Sequence, residues 1–222
     1  MPQLLLPTWC PGCGSAGVSL CRECAEHFSH WFRAESAADA LPPGIPVWAA
    51  AAYAEEAASI VMAWKSGHRP DLQGPLHRLA RHLGARFGRA WQPGAPLVVV
   101  PAPSGWRRRW RGNEVVAPLA RELAAGLVSV GVPARSEAVL QRRGGRHHHL
   151  GKAERRRERA AAISLRRGGS TRPWEHGAQV LLVDDVLTTG ATLAASAAAA
   201  QQRGPVIGAI VLAATPKPVY RE

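Results

Sequence analysis

Three runs in this chain are apolar at nearly every position: residues 97–100 (LVVV), residues 180–183 (VLLV) and most of residues 206–214 (VIGAIVLAA). A strand with one wet face alternates apolar and polar side chains. A run without alternation belongs in a parallel sheet covered on both faces. The intervening stretches supply the cover. EEAASIVMAWKSG places Ile60, Val61 and Trp64 at helical spacing and stops at Gly67, and PLHRLARHLGARFGRAW is amphipathic with a basic outer face. EVVAPLARELAAGLVSVG reads as a helix despite Pro118, and TLAASAAAAQQRG as an alanine-rich helix ending at Gly204. VWAAAAYA, residues 47–54, reads as a further strand. Strands alternating with helices predict an α/β fold with a parallel sheet flanked by helices. No internal repeat is visible.

The N-terminus is of another kind. CPGCGSAGVSLCREC carries all four cysteines as two C-x-x-C pairs, Cys10 with Cys13 and Cys21 with Cys24. Two such turns supply a tetrahedral sulfur cage for zinc, and a cage closed by four thiolates is structural, not catalytic. Two disulfides are the competing reading. AEHFSHWFRAES reads as one short helix with Phe28, Trp31 and Phe32 inward, and ALPPGIPVW as a linker. The expected division is a zinc ribbon with a short helix over residues 1–45 and the α/β domain over residues 46–222.

The 46% apolar content of the 222 residues is too high for a disordered chain. No apolar run approaches the roughly 18–20 residues of a membrane span. MPQLLLPTWC lacks the basic start and apolar core of a secretory signal. The expectation is a soluble, cytoplasmic protein that does not insert into membranes. The net charge of +12 favours a polyanionic partner or a phosphorylated ligand. Residues 135–172 hold twelve Lys and Arg against three acids, and read as a mobile basic loop leading into a charged helix.

One of the apolar runs ends in two acids. VLLVDDVLTTGAT places Asp184 and Asp185 at the carboxyl end of a buried strand, where open α/β sheets bind ligands. Leu187, Thr188, Thr189, Gly190, Ala191 and Thr192 then form a turn that opens a helix. Backbone N–H groups at a helix N-terminus, threonine hydroxyls and a glycine that admits close approach make a phosphate cradle. Carboxylates repel phosphate, so the two acids suit hydroxyls, such as a ribose diol, or Mg²⁺. The ligand this describes is a sugar phosphate.

Residues 180–192 resemble the thirteen-residue signature of the type I phosphoribosyltransferases at every position. The resemblance implies that Asp184 and Asp185 hold the ribose hydroxyls of phosphoribosyl pyrophosphate (PRPP) and that Val186 through Thr192 hold its 5′-phosphate. In VVVPAPSGWRRRWRG, Ala102, Pro103 and Ser104 then correspond to the loop facing the pyrophosphate, with Arg107 to Arg109 beside it. The whole chain is similar to the ComF family, phosphoribosyltransferase-like proteins with an N-terminal four-cysteine zinc ribbon. The family's tyrosine and lysine fall on Tyr53 and Lys65 in YAEEAASIVMAWKSGHRPDL. The chain departs from that pattern at Asn113-Glu114-Val115, at His147 ahead of Leu150, and at Glu158 after Arg155.

The resemblance implies a PRPP-binding protein of natural competence and single-stranded DNA uptake, with Mg²⁺ accompanying PRPP and competence-machinery proteins such as a helicase as partners. The alternative is an active phosphoribosyltransferase of nucleotide or base metabolism, displacing pyrophosphate from PRPP onto an unknown acceptor, with Lys65 and Arg107 neutralising the leaving group. A PRPP-sensing transcriptional regulator ranks last, because no helix-turn-helix precedes the sheet. Trp9, Trp31, Trp106 and Trp110 are candidates for stacking on bases, although tryptophans more often pack.

Overall fold

In a computed structural model the described residues are 8–34, 41–42, 44–91, 94–104, 114–142, 163–166, 174 and 177–216. Strands β1 (Phe32–Arg33), β2 (Val47–Ala52), β3 (Leu97–Pro101), β4 (Ala134–Ser136), β7 (Gln179–Leu187) and β8 (Val206–Ala214) form one sheet in the order β1-β2-β8-β7-β3-β4. Only β1 is antiparallel to its neighbour. β5 (Leu140–Arg142) and β6 (Ile163–Leu165) pair separately as an antiparallel ribbon. The three apolar runs are β3, β7 and β8, the adjacent inner strands, as an α/β sheet buried on both faces requires.

Helices cover both faces. On one lie α2 (Glu55–Ser66), α3 (Gln73–Ala90) and α4 (Val116–Val128), packed on Leu181, Val183, Ile210 and Leu212. On the other, α5 (Ala191–Ala200) and the β5–β6 ribbon pack on Val180, Leu182, Ala209 and Val211. Gly67 ends α2 in the left-handed region at φ 80°, a conformation that glycine adopts without steric cost. Pro118 sits in the first turn of α4, where N–H groups have no intrahelical acceptor, so its missing donor costs nothing.

Two adjacent strands set the position of the site. β3 continues through α4 to β4 on one side, and β7 continues through α5 to β8 on the other. The two connections leave in opposite directions, so a crevice opens between them at the carboxyl ends of β3 and β7. The backbone N–H of Ala102 donates to Val183 O at 2.8 Å, which holds the chain leaving β3 against β7 up to the first acid.

The segment expected to form one helix after the cysteines does not. α1 (Arg22–Glu26) passes into a 3₁₀ turn, His27–Ser29; Trp31 then takes a φ of 39°, and Phe32 and Arg33 pair with β2. A left-handed residue cannot continue a right-handed helix. The Trp31 ring instead stacks on Trp48 at 6.4 Å, beneath the Arg86 guanidinium. The strand read over residues 47–54 stops at Ala52, and β4, β5 and β6, three residues each, carry no pattern long enough to read. Most of the basic segment, residues 143–162, lies outside the described residues.

α3 and α4 cross in backbone contact. A Cβ on Gly84 would collide with the Leu123 carbonyl, and one on Gly126 with the Arg81 carbonyl. Neither obstacle is a side chain that can rotate away. Gly126→Ala is therefore expected to lower stability by about 2 kcal/mol or more, overpacking outweighing the gain in helix propensity. Gly74→Ala, at the exposed start of α3 with Arg78 Nη1 at 3.5 Å as its nearest neighbour, should be neutral or stabilising by up to about 1 kcal/mol. Urea denaturation of both variants checks the contrast.

Candidate functional site

The crevice is a cleft of about 410 Å³. Its floor is the end of β7. Alternation along that strand sends Asp185 toward the α2 side, where the Lys65 ammonium donates to Asp185 Oδ1 at 2.8 Å. Asp185 is 4% exposed, and a carboxylate so placed requires a cation. Lys65 comes from the last turn of α2, two strands away from β7. Between them β8 ends in Ala213 and Ala214, whose small side chains leave room for the lysine to reach across.

Asp184 turns back on its own strand, and its Oδ1 accepts from the Asp185 N–H at 2.8 Å. Burial first, and the Asp185 charge second, push its pKa up to about 7; the Asp185 N–H, Lys65 and Arg142 offset part of that rise. The pair thus resists carrying two negative charges. Hydroxyl donors or a cation arriving in the cleft would relieve that resistance.

Opposite the acids, Gly190 is the N-cap of α5 at φ 71° and, as glycine, gives no side-chain cap. The start of this ten-residue helix faces the crevice, flanked by Thr188 and Thr192. α4 likewise begins at the cleft: Val116 lines it, and its N-cap residue Val115 makes no side-chain cap bond. From β3, Ala102, Pro103 and Ser104 form the facing wall. Ser104 lines the cleft and is buried, and its Oγ has no hydrogen-bond partner among the described residues.

Of the residues expected to hold a sugar phosphate, the cleft brings together Asp184, Asp185, Val186, Thr188, Thr192, Ala102, Pro103, Ser104 and Lys65. Leu187 does not face it. β7 runs two residues past the acids, and Leu187 is buried in the core beneath α5. Thr189 is exposed on the turn, while Gly190 and Ala191 contribute backbone at the helix start. Arg107 lies outside the described residues, as do Trp106, Trp110, Asn113, His147, Leu150, Arg155 and Glu158.

The cleft also contains two polar residues that sequence reasoning did not place in the site. Tyr53 is the first residue after β2, its N–H donating to Ala214 O at 2.7 Å. Arg142 ends β5, with a long contact of 3.5 Å from its Nη2 to Thr192 Oγ1. Nothing in QRRGGRHHH distinguishes Arg142 from the arginines after it; only the pairing of β5 with β6 places it over the cleft.

The four cysteines form a second centre. All are free, and their sulfurs lie within 4.8 Å of one another, Cys13 Sγ to Cys21 Sγ being 3.6 Å. A zinc tetrahedron with bonds of about 2.3 Å has edges of about 3.8 Å, so the cluster fits the ion. The Cys24 N–H donates to Cys21 Sγ, and Gly14 N–H to Cys10 O, closing the two turns that aim the sulfurs inward. Hydrogen bonds from Ser15 hold the exposed Cys13 thiol down at about 6, while burial raises that of Cys24. The first turn sits on α2: a Cβ on Gly12 would meet Cys24 Sγ, Glu56 Cβ and Ile60 Cδ1.

No protein-family model matches the chain, and no curated protein matches it in sequence. Among solved structures it is similar to a hypoxanthine phosphoribosyltransferase from Staphylococcus aureus, at 17% identity over 67% of each chain with a TM-score of 0.37. It is also similar to an HPRT in which an invariant aspartic acid is replaced by glutamine, at 16% identity over 68% of this chain and 88% of that one, TM-score 0.40. No described helix is long and apolar enough to cross a membrane.

Two measurements check these centres. Metal analysis should find one zinc per chain, and Cys10→Ser should reduce it severalfold; full occupancy in that variant would rule the cage out. The second concerns Asp184, whose pKa in the fold lies above its ordinary value. Its neutral form therefore stabilises the protein, fully below pH 3.8 and progressively less as pH rises through about 7. Asp184→Asn keeps the oxygen that accepts from Asp185 and carries no charge. Its melting temperature should exceed the native one by at least about 2–4 °C at pH 8. The difference should vanish near pH 4. A difference independent of pH would refute the shift.

Proposed function

We propose that the cleft binds PRPP. The observation that carries the reading is the opposition of unlike chemistry across one switch-point crevice. Paired carboxylates lie near the end of β7, and a glycine-capped helix start with threonine hydroxyls faces them a few residues later. Asp184 and Asp185 would accept from the ribose hydroxyls, and Thr188, Thr192 and the first N–H groups of α5 would donate to the 5′-phosphate. Ser104 Oγ, the start of α4 and the loop from Ala102 would face the pyrophosphate, with Lys65 and Arg142 as cations at the rim.

Mg²⁺, bound with PRPP, would neutralise negative charge on the pyrophosphate and make it a better leaving group. Oxygen donors of the kind it takes are present in Asp184 and Asp185. In a transferase, the chain's own contribution would be to orient the ribose from below through the acids. Arg142 and Lys65 would stabilise charge gathering on the departing pyrophosphate.

The competence role rests on the likeness of the whole chain to the ComF family. The +12 charge supports contact with single-stranded DNA. Trp9, 53% exposed with the Arg69 guanidinium 5.5 Å from its ring, is available to stack on a base; Trp31 is packed against Trp48. Competence-machinery proteins such as a helicase are the proposed protein partners. An active transferase of nucleotide or base metabolism is the alternative, favoured by Ser104 and by the cations Lys65 and Arg142 lining the cleft.

Titration calorimetry with PRPP, with and without Mg²⁺, is the test. Micromolar binding that strengthens with Mg²⁺ is expected, and Asp185→Asn should weaken it by roughly tenfold or more. Unchanged affinity in that variant would overturn the site. Release of pyrophosphate with candidate bases would then separate a transferase from a binding protein.

A further inference from the structure

The ribbon's contact with α2 places it against the helix that supplies Lys65, and the contact has two ends. At the helix start, Gly12 lies against Glu56 and Ile60 as well as Cys24 Sγ, and His27 Nε2 lies 3.8 Å from Glu56 Oε2. Beyond the helix end, Arg69 turns back to the ribbon. Its Nη2 donates to Trp9 O at 2.8 Å, with a longer contact to Ser19 O at 3.4 Å, and its guanidinium is gripped by Asp71 through Nε at 2.9 Å and Nη2 at 2.7 Å. Trp9 O and Ser19 O flank the cysteines at positions 10 and 21, so Arg69 bridges backbone on both sides of the first C-x-x-C turn.

Ala57, Ile60, Val61 and Trp64 seat α2 in the core, but its ends are less well held. Its N-cap, Ala54, offers no side-chain bond, and Glu55 is held at φ 46°, a left-handed value costly for a residue with a Cβ. Arg69 lies four positions after Lys65, with Gly67 between them. A glycine-ended helix terminus is the part of a helix that frays first unless something beyond it is anchored. Leu72, fully buried, anchors the chain on the core side, and Arg69 anchors it to the four-cysteine segment.

We propose that Arg69 is a positioning residue for the cleft. It holds the last turn of α2 against the ribbon, keeps the Lys65 ammonium over Asp185, and thereby couples integrity of the four-cysteine segment to affinity for the cleft's anionic ligand. The affinity arm rests on the PRPP reading; the order of α2 does not.

The experiment uses the full chain, zinc-loaded, as native protein, Arg69→Ala and Arg69→Lys. Hydrogen exchange, zinc content and PRPP affinity by calorimetry are measured on each. In Arg69→Ala, zinc stays near one per chain, amides of the last turn of α2 exchange faster, and PRPP binds about tenfold more weakly, the usual scale for losing a residue that orients a ligand group. Arg69→Lys, which keeps the charge but cannot bridge Asp71 and both carbonyls, falls between. In a Lys65→Ala background the penalty of Arg69→Ala disappears, a result that general loosening of the fold would not give. Unchanged exchange in α2, or an equal penalty with and without Lys65, overturns the proposal. If native protein fails to bind PRPP, the functional reading falls, and α2 exchange alone then decides the role of Arg69: faster exchange upholds it and unchanged exchange ends it.

Discussion

Two adjacent carboxylates at the end of a strand buried on both faces cannot both be ionised unless positive charge is brought to them. Much of the architecture around the cleft answers that requirement. β7 is an inner strand, so no water reaches the acids from the sides, and neutralisation must come from over the top. Lys65 arrives from α2 across the alanine-ended β8, and Arg142 arrives from the β5–β6 ribbon on the opposite flank. Even so, burial and the Asp185 charge hold the Asp184 carboxyl well above the ordinary carboxylate range. The protein accepts a costly arrangement here, which is what a site shaped for an incoming ligand looks like.

The same requirement explains why the site sits between β3 and β7 and nowhere else on the sheet's edge. A phosphate needs helix starts and a diol needs acceptors, and the two preferences repel each other if forced together. At a switch point two helix starts diverge and leave room between them. α5 begins at Gly190, immediately after the acids' strand, and α4 begins at Val116 on the other wall. Helix-start N–H groups and paired carboxylates then share one cleft without sharing a position. Ser104, buried beside them with no hydrogen-bond partner for its Oγ among the described residues, fits a polar cleft.

How much of this the sequence disclosed follows from the range of each interaction. The inner strands were legible because burial on both faces writes itself into every residue of 97–100 and 180–183. The acids and the threonine turn were legible because strand end, turn and helix start are consecutive. The four cysteines were legible by spacing. Arg142 was not, because its role depends on the antiparallel pairing of two three-residue strands twenty positions apart, and local composition there is arginine throughout. The edge strand Phe32–Arg33 was not, because its residues suit a helix and only pairing with β2, with Trp31 stacked on Trp48, decides otherwise. The end of β7 was misplaced by two residues for a related reason: Thr215 donates to Leu187 O at 2.9 Å, so pairing with the chain leaving β8 carries the strand past the acids.

The N-terminal segment bears on the cleft through geometry of the same long range. A ribbon that merely hung from the sheet would need no buried sulfur, yet Cys10 and Cys24 are as buried as the aliphatic core and belong to the same cluster as Ile60, Val61 and Trp64 of α2. The four-cysteine cluster is therefore one wall of the core that seats α2. Closed on a metal ion it would do no chemistry but would be rigid, which serves a helix whose N-cap gives no side-chain bond and whose first residue is strained. The cluster touches that helix at its start through Gly12, and Arg69 reaches the same segment from beyond its end. The lysine at the rim of the cleft then inherits its position from a cluster of sulfurs on the far side of the helix.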